Sequence, residues 1–304
     1  MKPLTRKTRN TIAGIGFALP WIFGFCLLSA YPILQSAYNS LTVFNLFQPP
    51  RFVGLENYSA LLSDRKFIIS LQNTLYITAI GTPLNMLFAL GIAMLLNRNI
   101  RGLSVYRTLF YLPTVMPAVA SSALWIWILN PQIGLMNNLL SLLGIPRINW
   151  TGNAAYTKPA LLIMGLWSTG NMVVIFLAAL KNVSRSLYEA SDIDGANVLD
   201  KFVHVTLPGI SPVLLFQLII SLINNLQYFT QAYLLIGQSA SNNVASGGPK
   251  NSLLFYSIYL YQKAFTYFDM GTASAMAWIL FFLVGGLTLL IFGFQERWVT
   301  YAQD

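Results

Sequence analysis

Six long apolar stretches constrain the fold of this 304-residue chain more than any other feature of its sequence. A helix needs about 20 apolar residues to cross the hydrocarbon core of a bilayer. None of the six stretches contains Asp, Glu or His, and all are longer and more continuous than the strands of about 10 alternating residues that build membrane β-barrels. The sequence therefore predicts an all-α, polytopic membrane protein with six transmembrane helices, at approximately 12–34, 73–96, 105–129, 159–180, 212–236 and 272–294.

The composition agrees with a membrane protein. Apolar residues make up 56% of the chain and charged residues only 9%, whereas soluble domains carry roughly 25% charged residues. The net charge of +9 is more typical of basic loops that face anionic lipid than of a nucleic-acid partner, so we expect membrane lipid and no nucleic acid as partners. Cys26 is the only cysteine and His204 the only histidine, so the sequence predicts no metal site and no catalytic constellation.

Basic residues predict the orientation, because cytoplasmic loops of membrane proteins are enriched in Lys and Arg. With the N-terminus inside, the cytoplasmic segments hold 11 of the 18 basic residues, and the outer loops, which are longer in total, hold the other seven. We therefore expect both termini to be cytoplasmic. The first stretch follows a basic start, but its length of about 23 residues exceeds the 7 to 15 of a cleavable signal sequence, so it is predicted to remain as a span.

The loop at 181–209 differs from the others because it carries four of the nine acidic residues, Glu189, Asp192, Asp194 and Asp200. Ser186 and Glu189 have the spacing of a capping box, and Gly195 suits the left-handed residue that ends a helix. Residues 196–205 are predicted to form a second short helix that ends ahead of Pro208. The result is a helix-turn-helix along the membrane, with one face of its first helix open to another protein: Leu187, Ala190, Ser191 and Asp194.

The same loop carries a family signature. Its pattern is Glu189-Ala190-Ser191, three residues, Gly195, nine residues, Val205, one residue, Leu207-Pro208. This pattern resembles the EAA motif of permease subunits of binding-protein-dependent ABC importers, from which it departs only by Ser191 for Ala and Val205 for Ile. The run YEASDIDGA at 188–196 is similar to the carbohydrate-uptake branch, which includes the maltose and glycerol-3-phosphate permeases, and further likeness lies at 247–249, 259–265 and 271–275.

The resemblance covers roughly 67–296 and implies a division of the chain into three parts. Residues 1–66 hold an N-terminal cytoplasmic tail, the first transmembrane helix and an outer loop. Residues 67–296 form the importer-type transmembrane domain of five helices, with a coupling loop at 182–209, and 297–304 form a cytoplasmic tail. The polar insert at 238–246 departs from the family pattern and leaves the outer loop at 237–252 without a predicted conformation.

The resemblance also implies the partners. The chain would be a transport subunit, not an enzyme, in the cytoplasmic membrane of a prokaryote. It would pair with a second permease as a heterodimer and work with two copies of a cytoplasmic ATPase and an extracytoplasmic solute-binding protein. The coupling loop would dock on the ATPase through Glu189, Ala190, Ser191, Asp194, Gly195, Ala196, Leu207 and Pro208. The sequence has no phosphate-binding loop of the form G-x-x-x-x-G-K-[ST], so ATP and Mg are expected on the ATPase and no cofactor in this chain.

The fifth stretch carries the strongest candidates for a substrate site. Asn224, Gln227, Tyr228 and Gln231 are spaced as one helical face. Their amides offer donors and acceptors for sugar hydroxyl groups, and Tyr228, with Phe229 and Tyr233, offers aromatic faces. Hydrogen bonding between helices is the alternative interpretation of this stripe. It is the preferred interpretation for four other polar residues in the spans, Asn85, Ser168, Thr169 and Asn171.

Two other functions remain open at this point. An ion-coupled secondary transporter is the main alternative, although proton coupling usually needs an intramembrane acid or histidine, and the six stretches have none. An integral-membrane enzyme is less favoured, because its acids or metal ligands would have to come from the loop at 181–209. The sequence does not identify which sugar is carried, nor whether this subunit or its partner holds the sugar.

Overall fold

The computed structural model describes residues 6–98, 101–237 and 247–300, and these residues are helical apart from loops and two short strands. The predicted all-α class is confirmed. The chain divides into two compact units, one formed by 1–63 with 263–279 and the other by 64–262 with 280–304. Residues 238–246, the polar insert, lie outside the described residues.

The membrane-spanning segments include four long helical stretches and two pairs of helices that are bent more sharply. The four stretches that are long and apolar enough to cross a membrane are Gly14–Ser40, Arg65–Leu96, Val198–Ile236 and Met270–Arg297, and the third of these is interrupted at 227–229. The pair Leu103–Val115 and Ala118–Ile128 is bent by 103°, and the pair Ala154–Trp167 and Gly170–Asn182 by 49°. Counting each pair as one span gives six in the described part of the chain, as predicted.

The break in the third span follows from a proline. Met116 and Pro117 both have extended backbone, with ψ of 135° and 137°. Proline has no N–H to donate and disfavours a helical conformation in the residue before it. The helix therefore ends at Val115 and a new helix begins at Ala118.

The first unit begins with helices α1 (Arg6–Phe25) and α2 (Tyr31–Ser40), joined by a π-helical turn at Cys26–Ala30. Strands β1 (Thr42–Val43) and β2 (Arg51–Phe52) then pair antiparallel, and α3 (Glu56–Ser63) follows. The Asn57 amide donates to the carbonyls of Ser40 and Thr42, at 2.8 and 2.9 Å, and so fixes the turn where α2 ends. Cys26 is exposed on this helix, which agrees with a residue that faces lipid.

The second unit contains the remaining helices, of which the following matter for the site. They are α4 (Arg65–Leu96), α5 (Leu103–Val115), α6 (Ala118–Ile128), α7 (Leu135–Leu142), α8 (Ala154–Trp167), α9 (Gly170–Asn182), α10 (Arg185–Ile193), α11 (Val198–Lys201), α12 (Leu207–Leu226), α13 (Thr230–Ile236) and α14 (Tyr256–Tyr261). The last helix, α15 (Met270–Phe294), begins in the first unit and ends in the second. An apolar core joins α4, α9 and α12 through residues such as Ala93, Phe176 and Ile210, which are fully buried or nearly so.

Polar bonds tie α4 to the segment after the undescribed insert. The Asn73 amide donates to the carbonyls of Asn251 and Leu254, at 2.8 and 2.9 Å. The Thr74 hydroxyl accepts a bond of 2.9 Å from the Tyr256 N–H, at the start of α14. Each buried polar group of this junction is therefore paired across two elements, which is the usual state of buried polar groups.

Gly170 of α9 lies too close to α5 for any side chain. A Cβ at this position would lie 2.1 Å from the Phe110 carbonyl oxygen of α5. We expect Gly170→Ala to force α5 and α9 apart and to reduce the free energy of unfolding by about 1 to 3 kcal/mol. Gly91→Ala on α4 is the matched control, since nothing lies within 4 Å of its Cβ position. The melting temperatures of both variants in detergent check this, and a Gly170→Ala protein as stable as the control would contradict the close approach.

Candidate functional site

The loop between α9 and α12 has the predicted helix-turn-helix form. Helix α10 ends in a left-handed turn at Gly195, whose φ is +73°, so the predicted role of this glycine in the turn is confirmed. The Ala196 N–H donates to the Ser191 carbonyl at 2.9 Å, and the Gly195 N–H donates to the Asp192 carbonyl at 3.2 Å. This pair of bonds is a Schellman motif, and it directs the chain from α10 into α11.

The capping box is not where the sequence placed it. Helix α10 begins at Arg185, so Ser186 lies inside its first turn and Glu189 instead forms an ion pair with Arg185 at 3.1 Å. The capping box lies at the next helix. The Asn197 side chain accepts from the Asp200 N–H at 3.0 Å, and the Asp200 carboxylate accepts from the Asn197 N–H at 3.2 Å. Asn-x-x-Asp immediately after the Gly195 turn was the sequence signal that could have located it.

The prediction that the second short helix ends ahead of Pro208 is wrong. Helix α11 passes through a π-helical turn at Phe202–Thr206 and continues directly into α12. Pro208 is tolerated near the start of α12, where the wider turn before it accommodates a ring without an N–H. Further along, the Ser211 hydroxyl donates to the Pro208 carbonyl at 2.7 Å, which satisfies the acceptor that Pro212 leaves without its helical partner.

The surface of this loop is exposed and partly apolar. No residue of α10 or α11 is buried, and the exposed apolar side chains, here called the coupling surface, are Leu187, Ile193, Val198 and Leu199. An ion pair between Lys201 and Asp192 joins the two helices, and the Tyr188 hydroxyl bonds to the Thr206 hydroxyl at 2.9 Å. Glu189, Ala190 and Ser191 lie on α10, Asp194 to Ala196 form the turn, and Leu207 and Pro208 begin α12.

A polar cavity of about 420 Å³ lies where two of the helical breaks meet. One break, at Ser168 and Thr169, separates α8 from α9, and the other, at 227–229, separates α12 from α13. All four residues of the predicted stripe line this cavity: Asn224, Gln227, Tyr228 and Gln231. Asn85, Ser168, Thr169 and Asn171 line it as well.

The four predicted residues line the cavity because the helix is broken, and not because they share one helical face. Helix α12 ends at Leu226, and Phe229 has a non-helical φ of −140°. Gln227 and Tyr228 therefore lie in an irregular segment, and the expectation of one continuous helical face is wrong. Gln217 and Ser221 also line the cavity and were missed, although their spacing from Asn224 on α12 places all three on one face.

Two neighbouring polar residues have other roles. Asn225 also lines the cavity, but it is largely buried and its amide donates to the Thr82 hydroxyl of α4 at 2.9 Å, so it joins two helices. Tyr233 stacks on Phe229 with ring centroids 5.1 Å apart and packs edge-on against Tyr261, and it does not line the cavity. Tyr228 packs edge-on against Phe255, and its buried hydroxyl has no hydrogen-bond partner among the described residues.

The described residues contain no group of three or more His, Cys, Asp or Glu side chains that could hold a metal ion. His204 bonds through Nδ1 to the Asp200 carbonyl at 3.1 Å. Neither the loop between α9 and α12 nor the cavity, in the part of the chain that the structure describes, has the donor set of a metal centre.

Comparison with known proteins identifies the family. Residues 85–300 match the model of the binding-protein-dependent transport system inner membrane component. The chain belongs to this family. The permease is therefore a transport subunit and carries no cofactor of its own; the ATPase of homologous systems is a separate chain. This membership removes the support for an ion-coupled secondary transporter.

Curated relatives extend over nearly the whole permease. It is 38% identical to the probable ABC transporter permease protein YesP of Bacillus subtilis, over 99% of this chain and 96% of that one. It is 31% identical to the sulfoquinovosyl glycerol transport system permease protein SmoG of Agrobacterium fabrum, over 93% and 91%. It is 32% identical to the trehalose/maltose transport system permease protein MalF of Thermococcus litoralis, over 94% and 95%.

Solved structures show the same fold. The permease is similar to a chain in the crystal structure of a bacterial ABC transporter involved in the import of the acidic polysaccharide alginate, with a TM-score of 0.80 and 22% identity. The match covers 96% of this chain and 98% of the other. A second structure, of an alginate ABC transporter in complex with an alginate pentasaccharide-bound periplasmic protein, gives a TM-score of 0.79 at 22% identity, over 97% of each chain.

Proposed function

We propose that this permease is the membrane-spanning half of an ATP-driven importer that moves a sugar or oligosaccharide across the cytoplasmic membrane. The observation that carries the proposal is the cavity between the two helical breaks, because amide and hydroxyl side chains line it inside an otherwise apolar helical bundle. Polar residues inside a membrane protein are costly unless they serve a site or a partner. Relatives named for maltose, trehalose and sulfoquinovosyl glycerol support a sugar as the ligand.

The cavity has the chemistry that a sugar needs. Asn224, Gln227 and Gln231 each bring an amide, which can donate to one hydroxyl group and accept from another. Tyr228 adds a hydroxyl and, with Phe229, an aromatic surface at the irregular segment. Broken helices in transporters place free backbone groups at the substrate site, so the breaks themselves add donors and acceptors. Substrate binding is therefore assigned to Asn224, Gln227, Tyr228 and Gln231.

The coupling surface is proposed to dock on the ATPase. Its apolar side chains protrude, with Ile193 87% exposed and Val198 80% exposed, which is unusual for a monomeric surface and typical of an interaction site. The Schellman turn and the Lys201–Asp192 ion pair hold the two helices together. Glu189, Ala190, Ser191, Asp194, Gly195, Ala196, Leu207 and Pro208 would transmit the force of ATP hydrolysis from this surface to α12.

The complete importer is proposed to contain a second permease, two copies of the ATPase and an extracytoplasmic binding protein that delivers the sugar. Both termini of this chain would be cytoplasmic, since this orientation places 11 of 18 basic residues inside. The coupling surface then lies on the cytoplasmic side, where ATP is available. In this orientation the coupling surface faces the cytoplasmic ATPase.

The first test of the function measures uptake and ATP hydrolysis by the complex in vesicles. The panel contains maltose, trehalose, sulfoquinovosyl glycerol, sn-glycerol 3-phosphate and alginate oligosaccharide, each with the binding protein. We expect at least one sugar to stimulate hydrolysis, and Asn224→Ala and Tyr228→Ala to weaken its uptake by roughly tenfold or less per lost hydrogen bond. Assembly and basal hydrolysis should stay normal. A panel with no transported sugar would overturn the proposal, and variants that lose only stability would move the sugar site elsewhere.

The second test addresses coupling. Gly195→Val places a β-branched residue at positive φ, which costs about 1 to 3 kcal/mol locally, and it should misalign α10 and α11. Glu189→Lys removes the ion pair with Arg185 and adds a positive charge to the exposed helix. Both variants should insert in the membrane but bind the ATPase poorly and transport slowly. Gly54→Val, at a positive φ of 63° in the first unit, is the control for strain alone. Normal ATPase binding and normal transport by Glu189→Lys would contradict the docking role.

A further inference from the structure

Asn85 is the residue of α4 that lines the cavity in the described part of the chain. Its Oδ1 atom is buried and has no hydrogen-bond partner among the described residues. A buried carbonyl oxygen without a partner destabilises the folded protein, and native structures contain few of them. An unpaired acceptor at the wall of a ligand cavity therefore requires an explanation.

Other polar residues of α4 form hydrogen bonds to neighbouring segments of the bundle. Thr82, less than one turn away, accepts from the Asn225 amide at 2.9 Å. Asn73 donates to two carbonyls across the bundle, and Thr74 accepts from the Tyr256 N–H. Asn85 has no such bond through its oxygen. The sequence favoured a role for Asn85 in hydrogen bonding between helices. Its Oδ1 atom accepts no such bond from the described residues.

The Asn85 amide lies at the wall of the cavity, against α8. A Cβ on Gly165 of α8 would lie 3.4 Å from Asn85 Oδ1 and 3.5 Å from Nδ2, so the amide packs beside bare backbone. Gly165 lines the same cavity, and so does Tyr228, whose hydroxyl is also buried and unpartnered among the described residues. Two residues from different segments, each with a buried oxygen atom that has no partner in the described part of the chain, therefore line one cavity.

We infer that Asn85 recognises one hydroxyl group of the transported sugar by accepting its hydrogen bond at Oδ1. The inference rests on the proposed function and adds a specificity-determining residue from α4 to those of α12 and α13. A sugar hydroxyl supplies the donor that the protein does not. A sugar that lacks that hydroxyl leaves the acceptor unpaired, so the permease discriminates against it, as sites built around a buried polar group do.

The experiment measures uptake of the best sugar of the panel above and of its single-deoxy analogues, in vesicles with the complete importer. The unmodified importer should prefer the parent sugar over one deoxy analogue by about tenfold or more in kcat/KM. Asn85→Leu, of similar size, should abolish that preference. Asn85→Asp keeps a carbonyl-type acceptor and should retain most of it.

Thr78→Val is the matched control. The Thr78 hydroxyl is also buried on α4 without a partner in the described residues, but it does not line the cavity. The preference among the analogues should be unchanged in this variant. A preference that survives Asn85→Leu, or one that disappears equally in Thr78→Val, would overturn the inference.

The melting temperatures of two variants distinguish sugar recognition by Asn85 from a structural role in the helical bundle. This comparison does not need a transported sugar. Thr82→Val leaves the Asn225 amide without its partner and should lower the melting temperature. Asn85→Leu removes an acceptor that was already unpaired, so the melting temperature should stay or rise. A fall as large as that of Thr82→Val would overturn the inference. A panel without any transported sugar would overturn the proposed function instead, so the two failures are distinguishable.

Discussion

Backbone N–H and C=O groups inside a bilayer have no water to bond with, so a chain can leave the helical conformation there only where it lines a polar space or packs against protein. In the described residues this permease has three such departures within its spans, at Met116–Pro117, Ser168–Thr169 and 227–229. Ser168, Thr169 and Tyr228, together with Ala118 just after the first break, line the same cavity. The polar cavity and the broken helices therefore depend on each other.

The coupling surface is connected to this cavity by one helical path. From Val198 the chain runs through α11, a π-helical turn and α12 to Leu226 without leaving the helical conformation, and at about 1.5 Å per residue this distance exceeds the thickness of the hydrocarbon core. The path packs on α4 and α9 through a tight apolar core that includes Ile210 and Phe176. In the proposed function, a displacement of the coupling surface by the ATPase would move the whole helical path from Val198 to Leu226, and with it Asn224 and Asn225. This follows because close-packed cores transmit strain.

The sequence was sufficient for features that depend on local or repeated patterns. Six spans follow from apolar length alone, and the turn at Gly195 follows from the need for a residue at positive φ. The capping box was misplaced because Ser186 and Asn197 both match the spacing, and only the start of α10 at Arg185 decides between them. The four residues of the stripe line one cavity, but the continuous helical face from which they were grouped does not exist, since Gln227 and Tyr228 reach the cavity through a break in the helix. The state of Asn85 could not be predicted, because it depends on Gly165, which lies 80 residues further along the chain.

In the proposed function, the sugar binds between the breaks at Ser168–Thr169 and at 227–229 of this subunit. A cryo-electron microscopy structure of the complete importer, trapped with its sugar during turnover, tests it most directly. We expect sugar density bordered by Asn85, Asn224 and Tyr228, with the coupling surface bound to the ATPase in the same particle. Density confined to the second permease, with this cavity empty or closed, would contradict it.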